Sequence, residues 1–153
     1  MNRNRWVMLA VLAVAVIAGI VFFAQSGSSG PDTSTPQGAL LHQFDLLRKG
    51  QYGRAYDEMV PSQQALFTRD QYIACLSKQR APIGNVKVLE SYTEQVQIPG
   101  TNQKLDSTAI TVELSGAGLL ASGTQQATFH EFNMNGQWRF SITDVDSPKN
   151  GSC

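Results

Sequence analysis

Apolar and polar residues follow three patterns along the chain, and each pattern predicts a different kind of segment. Residues 6–24 form an unbroken apolar run without a charged side chain. Residues 39–79 repeat apolar side chains at near-helical spacing, whereas residues 85–145 alternate apolar and polar positions as strands do. The pattern therefore predicts an apolar N-terminal helix followed by a domain with helices first and strands second.

The N-terminal apolar run is long enough to cross a membrane. Its 19 residues would span roughly 28 Å as a helix, which is close to the hydrocarbon thickness of a bilayer. Arg3 and Arg5 precede the run, and a positive flank predicts that the N-terminus stays inside while the rest of the chain is exported. We therefore predict that residues 1–24 are a signal anchor, a single transmembrane helix.

A cleaved secretory signal is the alternative, with Ala24-Gln25-Ser26 as its cleavage site. Signal peptides have a shorter apolar centre of about 7–15 residues, so the length of the run favours the uncleaved anchor. Both interpretations export everything after Ala24. Residues 25–37 are rich in Ser, Gly, Pro and Thr and predict a flexible linker. Residues 38–153 have the size of one domain.

The first half of the domain begins with helix signals. Leu40, Phe44 and Leu47 recur at near-helical spacing, and Gly50 follows them as a stop signal. A short second helix is predicted over residues 52–59. Val60 and Pro61 follow it, and the proline ends the helix.

Another helix is predicted to begin at a capping box. Thr68 can cap the helix, and Gln71 stands at the position from which its side chain reaches back to the backbone of Thr68. The helix runs to about residue 79 and presents Tyr72 inward, together with Cys75. The residues between the second helix and this one can form one further helical turn.

The second half of the domain carries strand signals. Asn135-Gly136 lies between two alternating runs, and this dipeptide favours a two-residue hairpin because both turn residues need a positive φ. Trp138, Phe140 and Ile142 share one strand face. The predicted strands are residues 85–93, 107–114, 125–134 and 137–145. Helices followed by an antiparallel meander predict an α+β fold, with two to three helices packed on one face of the sheet.

Charge and cysteine content narrow the classes of function. From Asp32 onward the chain has ten basic and twelve acidic residues without a basic patch, so nucleic-acid binding is not expected. No Cys-x-x-Cys motif or zinc-type Cys/His spacing is present, so neither a metal nor a cofactor is implied. In an oxidising compartment Cys75 and Cys153 would form a disulfide; the alternative is a buried free Cys75 and a reactive Cys153.

Three stretches resemble exported domains of the nuclear transport factor 2-like superfamily. These are FDLLRKGQYGRAYDEM, FTRDQYIACL and NGQWRFSITDV, with Gly50, Tyr52, Gly136, Trp138 and Phe140 at the matching positions. The resemblance covers about residues 38–145 and implies a cone-shaped, cystatin-like α+β fold with a curved antiparallel sheet. It extends to the membrane-tethered members of bacterial envelopes, and it implies a fold rather than an activity.

Some members of that superfamily are isomerases or dehydratases with a polar residue inside the cone. The resemblance therefore implies a possible pocket in this chain, lined by aromatic residues and His130. His130 shares a strand face with Thr128, Phe132 and Met134, and it could act as a base if that face is the covered one. Spacing places no second catalytic group beside it, which favours a structural histidine. The candidate pocket residues are Tyr52, Tyr56, Tyr72, His130 and Trp138.

These observations predict a non-catalytic, membrane-tethered domain of the cell envelope. It would bind an envelope protein or a small apolar ligand, or it would form a homodimer across an open sheet face. A small exported enzyme of the isomerase or dehydratase type is the alternative, and an accessory subunit of a membrane complex is a third interpretation.

Overall fold

A computed structural model describes residues 30–78, 84–115 and 124–151 of this chain. The described part is an α+β domain with five helices and one four-stranded antiparallel sheet. The helices are α1 (Pro36–Arg48), α2 (Tyr52–Asp57), α3 (Pro61–Gln64), α4 (Arg69–Lys78) and α5 (Asp146–Asn150). The strands are β1 (Asn85–Gln97), β2 (Lys104–Ser115), β3 (Thr124–Met134) and β4 (Gln137–Phe140). The prediction of an α+β fold with helices before an antiparallel meander is confirmed, and α5 follows the sheet.

The signal anchor predicted over residues 1–24, and residues 25–29 of the predicted linker, lie outside the described ranges. The end of the predicted linker is not a tether, because Pro36 and Gln37 already belong to α1. Within residues 30–78, 84–115 and 124–151, none of the helices combines the length and the apolarity that crossing a bilayer requires. The Gly-rich connection between β2 and β3, with Leu119 and Leu120, also lies outside them.

Helix α4 begins at the predicted capping box. The backbone N–H of Gln71 donates to Thr68 Oγ1 at 3.2 Å, and the backbone N–H of Thr68 donates to Gln71 Oε1 at 2.7 Å. These reciprocal bonds satisfy two backbone groups that a helix start would otherwise leave unpaired. Tyr72 and Cys75 then face the core, as predicted.

Replacing Thr68 by alanine should therefore lower the free energy of unfolding by about 1 kcal/mol, because the Gln71 N–H loses its acceptor. Urea unfolding of the purified full chain in detergent measures this. Thr68→Ser is the matched control, because it keeps the hydroxyl and should cost only a few tenths of that amount. If serine destabilised the domain as much as alanine, the hydroxyl would not be the stabilising group.

The strands form a meander in the order β1-β2-β3-β4. Asn135 and Gly136 both have positive φ angles, 56° and 83°, and they join β3 to β4 as the predicted two-residue hairpin. Residues after α2 extend the sheet at the β4 edge: the Val60 N–H donates to the Phe140 carbonyl at 2.9 Å, and Met59 pairs with Phe140 in parallel. This pairing brings the end of α2 directly beside the last strand.

The two faces of the sheet are covered by different parts of the chain. The inner face is the face covered by α1: Leu40 and Phe44 of that helix pack against Ile110 and Phe129, and the Phe44 and Phe129 rings meet edge to face at 5.2 Å. A second cluster joins the helices to β4 and the C-terminal segment through Leu46, Ala55, Met59, Phe67, Tyr72, Phe140 and Val145.

The outer face, which points away from α1, is closed at one end by the turn between β1 and β2. There Phe132 packs with Val60 and Ile98. The turn lies so close to the rest of the domain that a Cβ atom on Gly100 would come within 2.8 Å of Leu66 and Val145. The β1–β2 hairpin therefore curls across the outer face, which gives the sheet its curvature.

Candidate functional site

A cluster of polar side chains, two buried and two partly exposed, lies where α1 meets β3 and the segment after α2. Its members are His42, Gln43, Glu58 and Glu131. Glu131 lies opposite Phe140 in the β3–β4 ladder, and the Phe140 N–H donates to the backbone carbonyl of Glu58. The ladder therefore holds Glu58 close to Glu131, and α1 lays His42 and Gln43 over Glu58. We refer to these four residues as the acid cluster.

Glu58 is held from α1 by two side chains. Its Oε2 accepts a hydrogen bond from Gln43 Nε2 at 2.6 Å, and its Oε1 lies 3.3 Å from His42 Nε2. Because a carboxylate can only accept, the Gln43 amide must turn its NH₂ group toward Glu58. Gln43 Oε1 therefore points elsewhere, and it is buried without a hydrogen-bond partner among the described residues.

Glu131 is the most enclosed member of the acid cluster, with 1% of its surface exposed. Its Oε1 is buried and has no hydrogen-bond partner in the described part of the chain. Burial raises the pKa of Glu131 well above its ordinary value, and the negative charge of Glu58 raises it further. Burial beside a second carboxyl group favours the protonated form, so Glu131 is the member of the acid cluster best placed to hold a proton.

The acid cluster contains one histidine and two glutamates, but these side chains are not arranged as a metal-binding set. Across residues 30–78, 84–115 and 124–151, no three His, Cys, Asp or Glu side chains come together as a set that could hold a metal ion.

His130 lies on the outer face, away from α1, because it alternates with Phe129 and Glu131 along β3. Its Nδ1 is 3.3 Å from Ser107 Oγ and 3.7 Å from Glu94 Oε1. A serine nucleophile requires a histidine that contacts the serine through one ring nitrogen and the carboxylate through the other. Here both groups meet the same nitrogen, so these three residues do not form a nucleophilic triad.

Tyr56 and Tyr72 belong to the core between α2 and α4. Their rings are 5.9 Å apart, and Phe67 packs against both. The Tyr56 hydroxyl lies 2.9 Å from the carbonyl oxygens of Gln64 and Phe67, which fixes the chain between α3 and α4. Burial raises the pKa of the Tyr72 hydroxyl.

Tyr52 and Trp138 lie apart from these core tyrosines. Tyr52 is the first residue of α2 and is half-buried. The Trp138 indole donates to the Ser34 carbonyl at 3.0 Å, just before α1. Of the five residues predicted to line a pocket, the structure brings Tyr56 and Tyr72 together in the core between α2 and α4. His130 lies on the outer face of the sheet, and Trp138 contacts the chain before α1, so the five do not line one surface.

Of the two cysteines, Cys75 is buried on the inward side of α4, with 1% of its surface exposed. Cys153 lies outside the described residues, so their pairing stays a prediction.

Sequence reasoning missed the acid cluster. None of its four residues is among the candidate pocket residues predicted from the sequence. A signal for Glu131 is present, however. A two-residue turn at Asn135-Gly136 sets Glu131 opposite Phe140, and Phe140 belongs to the apolar face of its strand.

No protein-family model matches this chain, and no curated protein matches it significantly. The function of the chain must therefore be inferred from its own residues and their arrangement.

Proposed function

We propose that this protein is a membrane-tethered domain of the cell envelope, that it folds outside the cytoplasm, and that it acts by binding a partner protein rather than by catalysis. A nuclear transport factor 2-like fold belongs to the same proposal. An α+β domain with helices on one face of a curved antiparallel sheet is compatible with that fold, although this architecture is shared by other families.

The sequence before the domain supports the tether. An apolar run of bilayer length follows two arginines, and a Ser/Gly-rich segment separates it from the folded part. Helix α1 begins at Pro36, capped by Thr35, whose Oγ1 accepts from the Gly38 N–H at 3.1 Å. Only a short stretch of chain thus separates the proposed anchor from the first packed helix, so the domain would lie close to the membrane surface.

The observation that carries the binding role is an exposed tyrosine, Tyr92, on the outer face. Tyr92, Ala109 and His130 stand side by side on β1, β2 and β3, and Tyr92 is 48% exposed. The neighbouring row is polar: the Thr111 hydroxyl lies 3.2 Å from that of Thr128. An exposed tyrosine on a rigid sheet, surrounded by polar groups, is typical of protein interfaces.

A small exported enzyme is the second candidate function, and the observation that favours it is the buried carboxyl group of Glu131 beside Glu58, rather than His130. Two carboxyl groups in different environments can form a general acid–base pair. The acid cluster would act in this way only on a substrate that reaches between α1 and β3.

Site-specific crosslinking tests the binding role. A photoreactive benzoylphenylalanine replaces Tyr92 in the full chain, and the matched control carries it at Ala74, which is exposed on α4. We expect a protein adduct from position 92 in native membranes and none from position 74. The absence of any adduct at position 92, or the same adducts from both positions, would contradict a specific binding face.

Protease protection tests the tether separately. Protease added outside sealed cells should digest the domain and leave a membrane-bound fragment. A domain that resists digestion until the membrane is permeabilised would contradict export, whatever the crosslinking result.

A further inference from the structure

The acid cluster connects three parts of the fold, and the proposed binding face does not use it. We propose that buried Glu131 holds a proton beside Glu58 in the folded domain, and that opening of α1 away from the sheet releases this proton. Rising pH then favours the opened form, so the acid cluster is a pH-sensitive latch on α1. This proposal does not depend on where the domain resides.

The geometry of the latch follows from hydrogen bonds already described. Glu58 is fixed beside β4 by its backbone, whereas its carboxylate is held from α1 by Gln43 and His42. Glu131 lies beneath them on the inner face, in the same strand as Phe129, which contacts Phe44 of α1. Water can reach Glu131 when α1 moves outward, because α1 carries two of the three other members of the acid cluster.

No positive charge in the described part of the chain compensates the two carboxyl groups other than that of a protonated His42. From α1, His42 is the ion-pair partner of Glu58, and it is charged only when protonated. The residues opposite Glu131, Thr108 on β2 and Phe140 on β4, carry no charge.

The other charged groups nearby are occupied elsewhere. Arg139 on β4 alternates with Phe140, and its guanidinium donates to the Asp57 carbonyl and to Gln137. The Asp57 carboxylate itself pairs with Arg69 at 3.2 Å. A second negative charge at Glu131 would therefore be buried beside Glu58 without compensation, and this is unfavourable.

The direction of the pH dependence follows from proton binding. The pKa of Glu131 in the folded state is raised by burial and then by Glu58. Between the ordinary glutamate pKa and this raised value, the closed form keeps a proton that the opened form releases. Its stabilising contribution is complete below the ordinary pKa and is lost as the pH rises through the raised one.

Hydrogen exchange of the full chain in detergent micelles tests the latch. The readout is the exchange rate of α1 amides in the wild type divided by the rate in Glu131→Gln at the same pH, because intrinsic exchange cancels in that ratio. In the window between the two pKa values, we expect the ratio to rise by up to about tenfold per pH unit. Glu90→Gln is the control, since Glu90 is exposed on the sheet, and it should behave as the wild type.

A second readout protects the test against a variant that folds poorly. Carbon-13 NMR of the glutamate carboxyl groups should show one group that titrates well above the others. This signal should be lost in Glu131→Gln and move toward the ordinary range in Glu58→Gln. A ratio that does not change with pH, an equal rise for β2 and α1 amides, or a Glu131 that titrates like the other glutamates would each overturn the proposal.

Discussion

Reducing a Cys75–Cys153 disulfide should lower the free energy of unfolding by about 4 kcal/mol. The bond would close a loop of 79 residues, and in the chain-entropy model a loop of this length contributes stabilisation of about that size. Such a loss is a large share of the stability of a typical domain. Reduction should therefore lower the urea midpoint strongly, if the bond forms in the exported domain.

The path of the C-terminal segment supports this disulfide. Gln71 Nε2 donates to the Lys149 carbonyl at 3.2 Å, and Lys78 Nζ donates to the Gly151 carbonyl. Gln71, Cys75 and Lys78 recur on one side of α4 because they are four and three residues apart. The segment therefore runs along the side of α4 that carries Cys75, and Cys153 follows Gly151 by two residues.

Urea unfolding with and without reductant measures the effect. Cys153→Ser is the matched variant, since it removes the bond without changing the core, and reductant should not destabilise it further. Alkylation of the native protein counts its free thiols. Two thiols that react without reductant would show that the bond is absent, and so would identical urea midpoints with and without reductant.

Replacing Gln63 by alanine should lower the free energy of unfolding by about 3–5 kcal/mol. Gln63 is completely buried. Its Nε2 donates to the Ile142 and Pro99 carbonyls at 2.7 and 3.3 Å, and its Oε1 accepts from the Ile142 N–H at 2.8 Å. Alanine would leave these backbone groups buried without partners, at a cost of about 1–3 kcal/mol each, and it would also leave a cavity.

Urea unfolding of two further variants separates these causes. Gln63→Leu refills the volume without restoring the hydrogen bonds, so it should recover only a small part of the loss. Gln126→Ala removes an exposed glutamine from β3, and its effect should stay within about 0.5 kcal/mol. If leucine restored the wild-type stability, packing rather than hydrogen bonding would explain the role of Gln63.

Local signals in the sequence predicted the local structure well. The capping box of Thr68 and Gln71 and the hairpin at Asn135-Gly136 each depend on neighbouring residues and on backbone chemistry that few residue types provide. The order of helices and strands was also predictable, because apolar residues recur at near-helical spacing over residues 39–79 and alternate with polar residues over residues 85–145.

The candidate site was less predictable because alternation shows which residues share a face but not which face the helices cover. His130 and Glu131 are adjacent and therefore lie on opposite faces of β3, and only the packing of α1 determines that the covered face carries Glu131. The contacts of Gln63 were not predictable either. They join α3 to the β1–β2 turn and to Ile142, which are 36 and 79 residues away along the chain.

The start of α1 is fastened to both edges of the sheet. Trp138 on β4 holds the Ser34 carbonyl, and the Gln37 side chain donates to Ser91 Oγ on β1 at 2.7 Å. A mechanical pull on the chain ahead of Gly30 would therefore load two strands at once instead of peeling the first helix from its end. Under tension, the hydrogen bonds of Trp138 to Ser34 and of Gln37 to Ser91 would have to break before α1 could unfold.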